Sequence, residues 1–183
     1  MLKLNGAAQR SFLFPSVRGD AFSYYADLEN VVRFLRYVEI EAQDKQDPRL
    51  YRLAYRTQEM GAYDVCVYCD VIYEGDAAQT ELQMRPLTAA QSPFAPVEPS
   101  VSAEKTVTTG EFRLVSTLRE HPQNKTKIDM DLSIVSQIPA SGMMKLVMAP
   151  LMGVIEPLVT GRMDEVVDHF VQESVAQYRP ESL

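Results

Sequence analysis

The chain of 183 residues has no tryptophan, two cysteines, two histidines and eight glycines. Each shortage closes off a chemistry. With two histidines and no Cys, His, Asp or Glu cluster at ligand spacing, no metal site is expected. His121 precedes Pro122 in a turn, and His169 shares a helical side with Arg162, Glu165 and Gln172. No G-x-x-x-x-G-K-S/T phosphate loop, G-x-G-x-x-G dinucleotide turn or G-x-S-x-G nucleophile elbow occurs, so no cofactor is expected. Positive charge is also short: the net charge is -7 and no basic stretch offsets it, which argues against a nucleic-acid partner. The start, "MLKLNGAAQR", has no long apolar run, so a secretory signal is not expected.

The two cysteines stand in "CVYC" (Cys66, Cys69), a C-x-x-C spacing. Their flanks are rich in Val, Ile and Tyr and read as a strand. Residues i and i+3 of a strand face opposite ways, so the thiols should diverge rather than act as a redox pair.

What is present is alternation. Lys125–Ile138 puts Ile128, Met130, Leu132, Ile134, Ser136 and Ile138 on one face and Lys127, Asp129 and Asp131 on the other. That is a half-buried antiparallel strand. Five further β segments are expected at 50–58, 62–74, 79–86, 102–108 and 111–120, separated by turn signals at "EMGA", "EGDA", "TTGE" and "EHPQNK". "QRSFLF" adds a first strand and "RYVEIEAQD" a second. Between them Phe22, Tyr25, Leu28, Val32 and Leu35 recur at helical spacing, with Asp20 and Asp27 as caps of two short helices. The segment Pro86–Ser100 holds four prolines and reads as a long loop, either a solvated connector with Phe94 tucked down or a binding lid. From Met163 the apolar residues Val166, Val167, Phe170, Val171 and Val175 describe a C-terminal helix.

"MMKLVMAPLMGVIEPLV" (Met143–Val159) precedes that helix. A transmembrane span needs about 20 apolar residues; this stretch is shorter and carries Lys145 and Glu156, so no span is expected. Its apolar residues point nearly all round a helix, which implies contact on more than one side. Pro150 and Pro157 should each kink or restart it. The reading is a core helix, or else a cavity wall, a gate or a partner surface.

The inward faces hold few groups fit for catalysis: hydroxyls at Ser116, Ser136, Thr57, Thr80, Tyr51 and Tyr55, with no inward acid or base. A few hydroxyls in an apolar surround suit binding better than catalysis. Candidate cavity-lining residues on the strands are Tyr51, Leu53, Tyr55, Val67, Cys69 and Met84. Leu114, Ser116, Met130, Leu132 and Ser136 continue them. On the C-terminal helical stretch the candidates are Met144, Met148, Leu151, Met152 and Ile155.

The order strand, two short helices, six strands, long helix resembles the helix-grip fold of the SRPBCC superfamily, which includes START lipid-transfer domains and polyketide cyclase-like proteins. The local match is "FLFPSVRGDAFSYYADLENVVRFLRYVEIE" (Phe12–Glu41), with Phe22, Tyr25 and Asp27 at recurrent places, and "RMDEVVDHFVQESVAQY" resembles the closing helix. The tryptophan often found after the helical hairpin is absent. More narrowly the chain resembles a cyanobacterial and plastid branch of unknown function. The resemblance implies an apolar cavity between sheet and last helix; no catalytic residue carries over.

The expectation is one α+β helix-grip domain over 1–183, with a Pro-rich loop at 86–100 and a tail at 179–183. A seven-stranded curved antiparallel sheet follows two short helices after strand 1 and grips a long C-terminal helix broken near Pro150 and Pro157. The expected function is non-catalytic binding of a hydrophobic small molecule (a lipid, isoprenoid or pigment) in the cytoplasm or at a membrane surface. The alternatives are an assembly or chaperone-like factor for photosynthetic membrane complexes, with a protein partner at the membrane surface, and a cyclase-type enzyme.

Overall fold

The computed structural model describes residues 2–59, 63–102, 104–138 and 152–179. In chain order the elements are β1 (Leu2–Phe14), α1 (Arg18–Ala26), α2 (Leu28–Val32), β2 (Val38–Gln43), β3 (Leu50–Glu59), β4 (Tyr63–Gly75), β5 (Glu81–Pro86), β6 (Ser100–Val101), β7 (Lys105–His121), β8 (Lys125–Ile138) and α3 (Met152–Gln177). The strands form one sheet in the order β1-β8-β7-β5-β4-β3-β2, with β6 paired to β7. Strand β1 lies beside β8 from Leu2↔Ile138 to Phe14↔Thr126, so the first strand closes against the last.

The sheet departs from the sequence expectation in three ways. It has eight strands rather than seven, the extra one being the two-residue β6. The segments 102–108 and 111–120 are one strand, β7, and "TTGE" is no turn. Not every pair is antiparallel: Asp64↔Lys105 to Tyr68↔Thr109 join β4 and β7 in parallel. Short β5 explains the last point. It separates β4 from β7 and ends at Pro86, which cannot donate to a ladder; beyond it the two longer strands meet directly. Gly110 belongs to this meeting, not to a turn. A Cβ there would stand 2.7 Å from Val67 Cγ1 and 2.8 Å from the carbonyl oxygen of Val135.

The helices follow the sequence pattern. Asp27 accepts from the amide of Glu29 at 3.0 Å and caps α2, as expected. Helix α1 begins earlier than Asp20, behind Val17. Tyr25, Leu28, Val32 and Leu35 are buried, and Phe22 packs on the core. Helix α3 starts two residues after Pro150 and continues through Pro157 to Gln177. Pro157 lies in the second turn, where its missing amide forgoes a single helical bond, to the carbonyl of Gly153. Met163, Val166, Val167, Phe170 and Ser174 form the buried stripe of α3.

Candidate functional site

The concave face of the sheet and the buried stripe of α3 enclose the core. At the Phe170 end this space is filled. Phe12 meets Phe170 edge-on with ring centroids 6.4 Å apart, and Tyr25 lies 5.6 Å from the same ring. Tyr25 donates to Ser174 Oγ at 2.9 Å, and Tyr73 donates to the carbonyl of Tyr25. Burial raises both phenols above the ordinary value, so they remain neutral donors. Between these residues, Leu114, Ser116 and Ile128, the remaining void is about 10 Å³, room for at most one water.

Further along, the strand register defines a second row across the concavity: Ser136 opposite Gly110, then Val67 opposite Tyr55, and Tyr55 opposite Val38. Here β7 leaves β8 to join β4, and side-chain hydroxyls take over from the ladder. Thr108 Oγ1 donates to the Gln137 carbonyl at 2.6 Å and Ser136 Oγ to the Thr109 carbonyl at 3.2 Å. Tyr55 packs edge-on against Tyr37, with centroids 6.1 Å apart. Tyr37 takes a positive φ of 67°, which turns the chain out of α2 into β2.

Two polar clamps hold α3 beside this row. On one flank Glu165 pairs with Arg36 at 2.8 Å, Arg162 at 3.0 Å and the Tyr37 hydroxyl at 3.1 Å. On the other, Arg10 of β1 reaches Asp168 at 2.6 Å and Asp164 at 2.9 Å. Arg162 and Arg36 hold the Glu165 carboxyl below its usual range; Arg10 does the same for Asp168.

Of the residues singled out in the sequence, Leu53, Tyr55, Val67, Cys69, Met84, Leu114, Met130, Leu132 and Ser136 are buried. Tyr51 and Ser116 are half-buried, and Tyr51 accepts from Gln43 at 2.9 Å. Met152 and Ile155 lie in the first turn of α3, whereas Met144, Met148 and Leu151 fall outside the described residues. Phe12, Tyr25, Tyr73 and Phe170 were not singled out as lining. Three of them stood out as apolar positions within their own elements, but no local signal says that they meet. Among the described residues the buried polar side chains are all hydroxyls: Ser16, Thr106, Thr108, Thr126, Ser136 and Ser174. No carboxylate or imidazole joins them, and no group of three metal-ligating side chains occurs among the described residues.

The Pro-rich loop lies over the opposite, outer face. Arg52 and Asp70 form a two-pronged ion pair at 2.7 and 2.8 Å, 13% and 17% exposed. Ser92 donates to the same carboxylate at 2.5 Å, Arg52 donates to the Ala95 carbonyl at 2.8 Å, and the guanidinium stacks over Phe94 at 5.2 Å. The loop is a strap fixed by one ion pair, with Phe94 tucked down as the connector reading expected.

This arrangement of a sheet closed on a C-terminal helix aligns with solved structures. A START superfamily protein from Mycobacterium smegmatis aligns at TM-score 0.51 and 11% identity over 93% of this chain and 97% of that one. The fold is the helix-grip. A protein from Thermus thermophilus shares it at TM-score 0.54 and 11% identity, over 96% and 99% of the two chains. The di-domain ARO/CYC BexL of the BE-7585A biosynthetic pathway does so at TM-score 0.54 and 12% identity, over 97% of this chain and 52% of that one. No family profile matches the sequence, and no curated protein does. These structural alignments show the helix-grip fold, and at such identities they carry no residue role. No helix among the described residues is long and apolar enough to cross a membrane.

Proposed function

We propose that this helix-grip chain binds a hydrophobic small molecule, of the size of a lipid, isoprenoid or pigment, between the sheet and α3 without transforming it. The observation that carries this reading is the chemistry of the concave face: its buried polar groups are hydroxyls, and those at Thr108 and Ser136 already donate to backbone carbonyls. The described residues of this surface desolvate an apolar body and bring no carboxylate or imidazole to it. The Phe170 end is filled, so in this reading the ligand occupies the other end. There the buried Tyr55, Val67, Cys69 and Ser136 would line it, and Tyr55 would orient its polar end.

The assembly-factor reading called for an apolar patch at Phe94 or Met143–Met152. Phe94 is half-buried under Arg52, while all of the second stretch before Met152 lies outside the described residues. The cyclase reading called for a buried acid or imidazole at the cavity, and the described residues supply none. Native mass spectrometry of protein purified from its own host, followed by solvent extraction, tests the binding reading. A retained apolar molecule is expected. Protein that is always empty would sink the proposal.

A further inference from the structure

The strap and the sheet enclose a pocket that belongs to the outer face and not to the grip. Its volume is about 490 Å³, within the range of small-molecule sites. The floor comes from four strands. Arg52 pairs with Asp70 across β3 and β4, Tyr68 stands opposite Thr109, and Glu111 stands opposite Val135. The roof is the strap, with Leu87, Pro96, Val97 and Pro99 turned to the pocket.

The charges lining it are three. Arg52 and Asp70 neutralise each other, and their remaining bonds hold the strap. Glu111, at the rim, has no hydrogen-bond or ion-pair partner among the described residues, and neither do the side chains of Thr109 and Gln137 beside it. Among the described residues the pocket therefore carries one unmatched negative charge and two hydrogen-bonding side chains without a partner along one edge. Apolar walls of proline, valine and leucine stand opposite, with the half-buried Tyr68 ring in the floor.

We infer that this outer pocket is a second binding site, for a small amphiphilic cation: a protonated amine carried on an apolar body. The ammonium would sit at Glu111 with Thr109 and Gln137 as partners, and the hydrocarbon would lie under Pro96, Val97 and Pro99. The net charge of -7 favours approach of a cation and disfavours an anion of the same shape. The Pro-rich roof suits the role, because prolines fix φ and lower the entropy of closing a lid over a ligand.

The test is amide-detected NMR titration of the full chain with n-hexylammonium, and in parallel with hexan-1-ol and hexanoate. Saturable shifts with hexylammonium are expected at 87–99, Tyr68, Thr109 and Glu111, with a weaker response to the alcohol and none to the acid. Glu111→Gln should weaken hexylammonium binding about fivefold, as for one rim ion pair. Its melting temperature should be unchanged, since Glu111 is exposed. Equal responses to all three probes, no change in Glu111→Gln, or no saturable shift would overturn the inference. Shifts at Tyr55 and Val67 alone would place the amine in the grip, against this site and without bearing on the apolar ligand proposed there.

Discussion

The two faces of the sheet come from the same strands, read at alternate residues, and they are finished differently. The inner face is closed by apolar contact with α3, and its hydroxyls bond to nearby backbone. The outer face is closed by charge: Arg52, Asp70 and Ser92 hold a strap over a pocket many times larger than the void at the Phe170 end. The cysteines show the contrast within one strand. Cys69 points inward, and burial pushes its thiol up to about 12. Cys66, three residues earlier, points outward and is buried beneath Arg56, whose Nη1 lies 3.3 Å from the sulfur. Apolar packing leaves little room unless a ligand replaces side chains; a strap pinned at one point leaves a hollow beside the pin.

Breaking the inner face should cost the most. Phe170→Ala removes a ring packed on Phe12 and Tyr25, and should lower unfolding free energy by about 3–5 kcal/mol in urea melts. On the outer face, Asp70→Ala leaves the half-buried Arg52 without its partner, at about 3 kcal/mol. The sharper reading is local: limited proteolysis should cut within 87–99 in Asp70→Ala and spare that loop in Phe170→Ala at matched stability. Gly110→Ala drives a methyl into Val67 and the backbone of Val135 where β4 and β7 meet, and should cost about 2 kcal/mol by thermal melt.

The smallest expected effect is the pH response of the clamps on α3. Glu165 and Asp168 titrate below their ordinary values, chiefly through hydrogen bonds from Arg162 and Arg10. A carboxylate depressed in the folded state adds stability that is present above its unfolded pKa of about 4, and this is lost as pH falls through the lower folded value. Asp168 is exposed and Glu165 partly so, which keeps the gain modest. Hydrogen exchange should show residues 162–168 of α3 loosening below about pH 4, and Arg10→Gln should remove part of that dependence. Unchanged protection from pH 6 to pH 3 would show that apolar packing alone seats the helix.

Much of the fold was legible in the sequence because period-two and helical spacing each leave a direct record. Ile128 to Ser136 alternate inward as written, and Val166, Val167 and Phe170 mark the buried stripe of α3. "TTGE" misled because glycine serves both turns and close approaches, and only the neighbour tells them apart: Gly110 makes room for Val67 and Val135. Of the candidate lining residues, the burial of Leu53, Val67, Met84 and Leu132 followed from alternation. That Ser136 donates to Thr109 did not, because it depends on where β7 parts from β8.

By itself the sequence determined most of the element order, the inward face of the strands and the Asp27 cap, because each is a matter of neighbours along the chain. Only the tertiary structure decided that β4 and β7 run side by side in parallel, that one end of the grip is solid, and that Arg52 and Asp70 pin the Pro-rich loop over a pocket on the far face. Those contacts join residues from separate strands, helices and loops, and their pairing is set by the register and length of the strands between them rather than by the preference of any one segment.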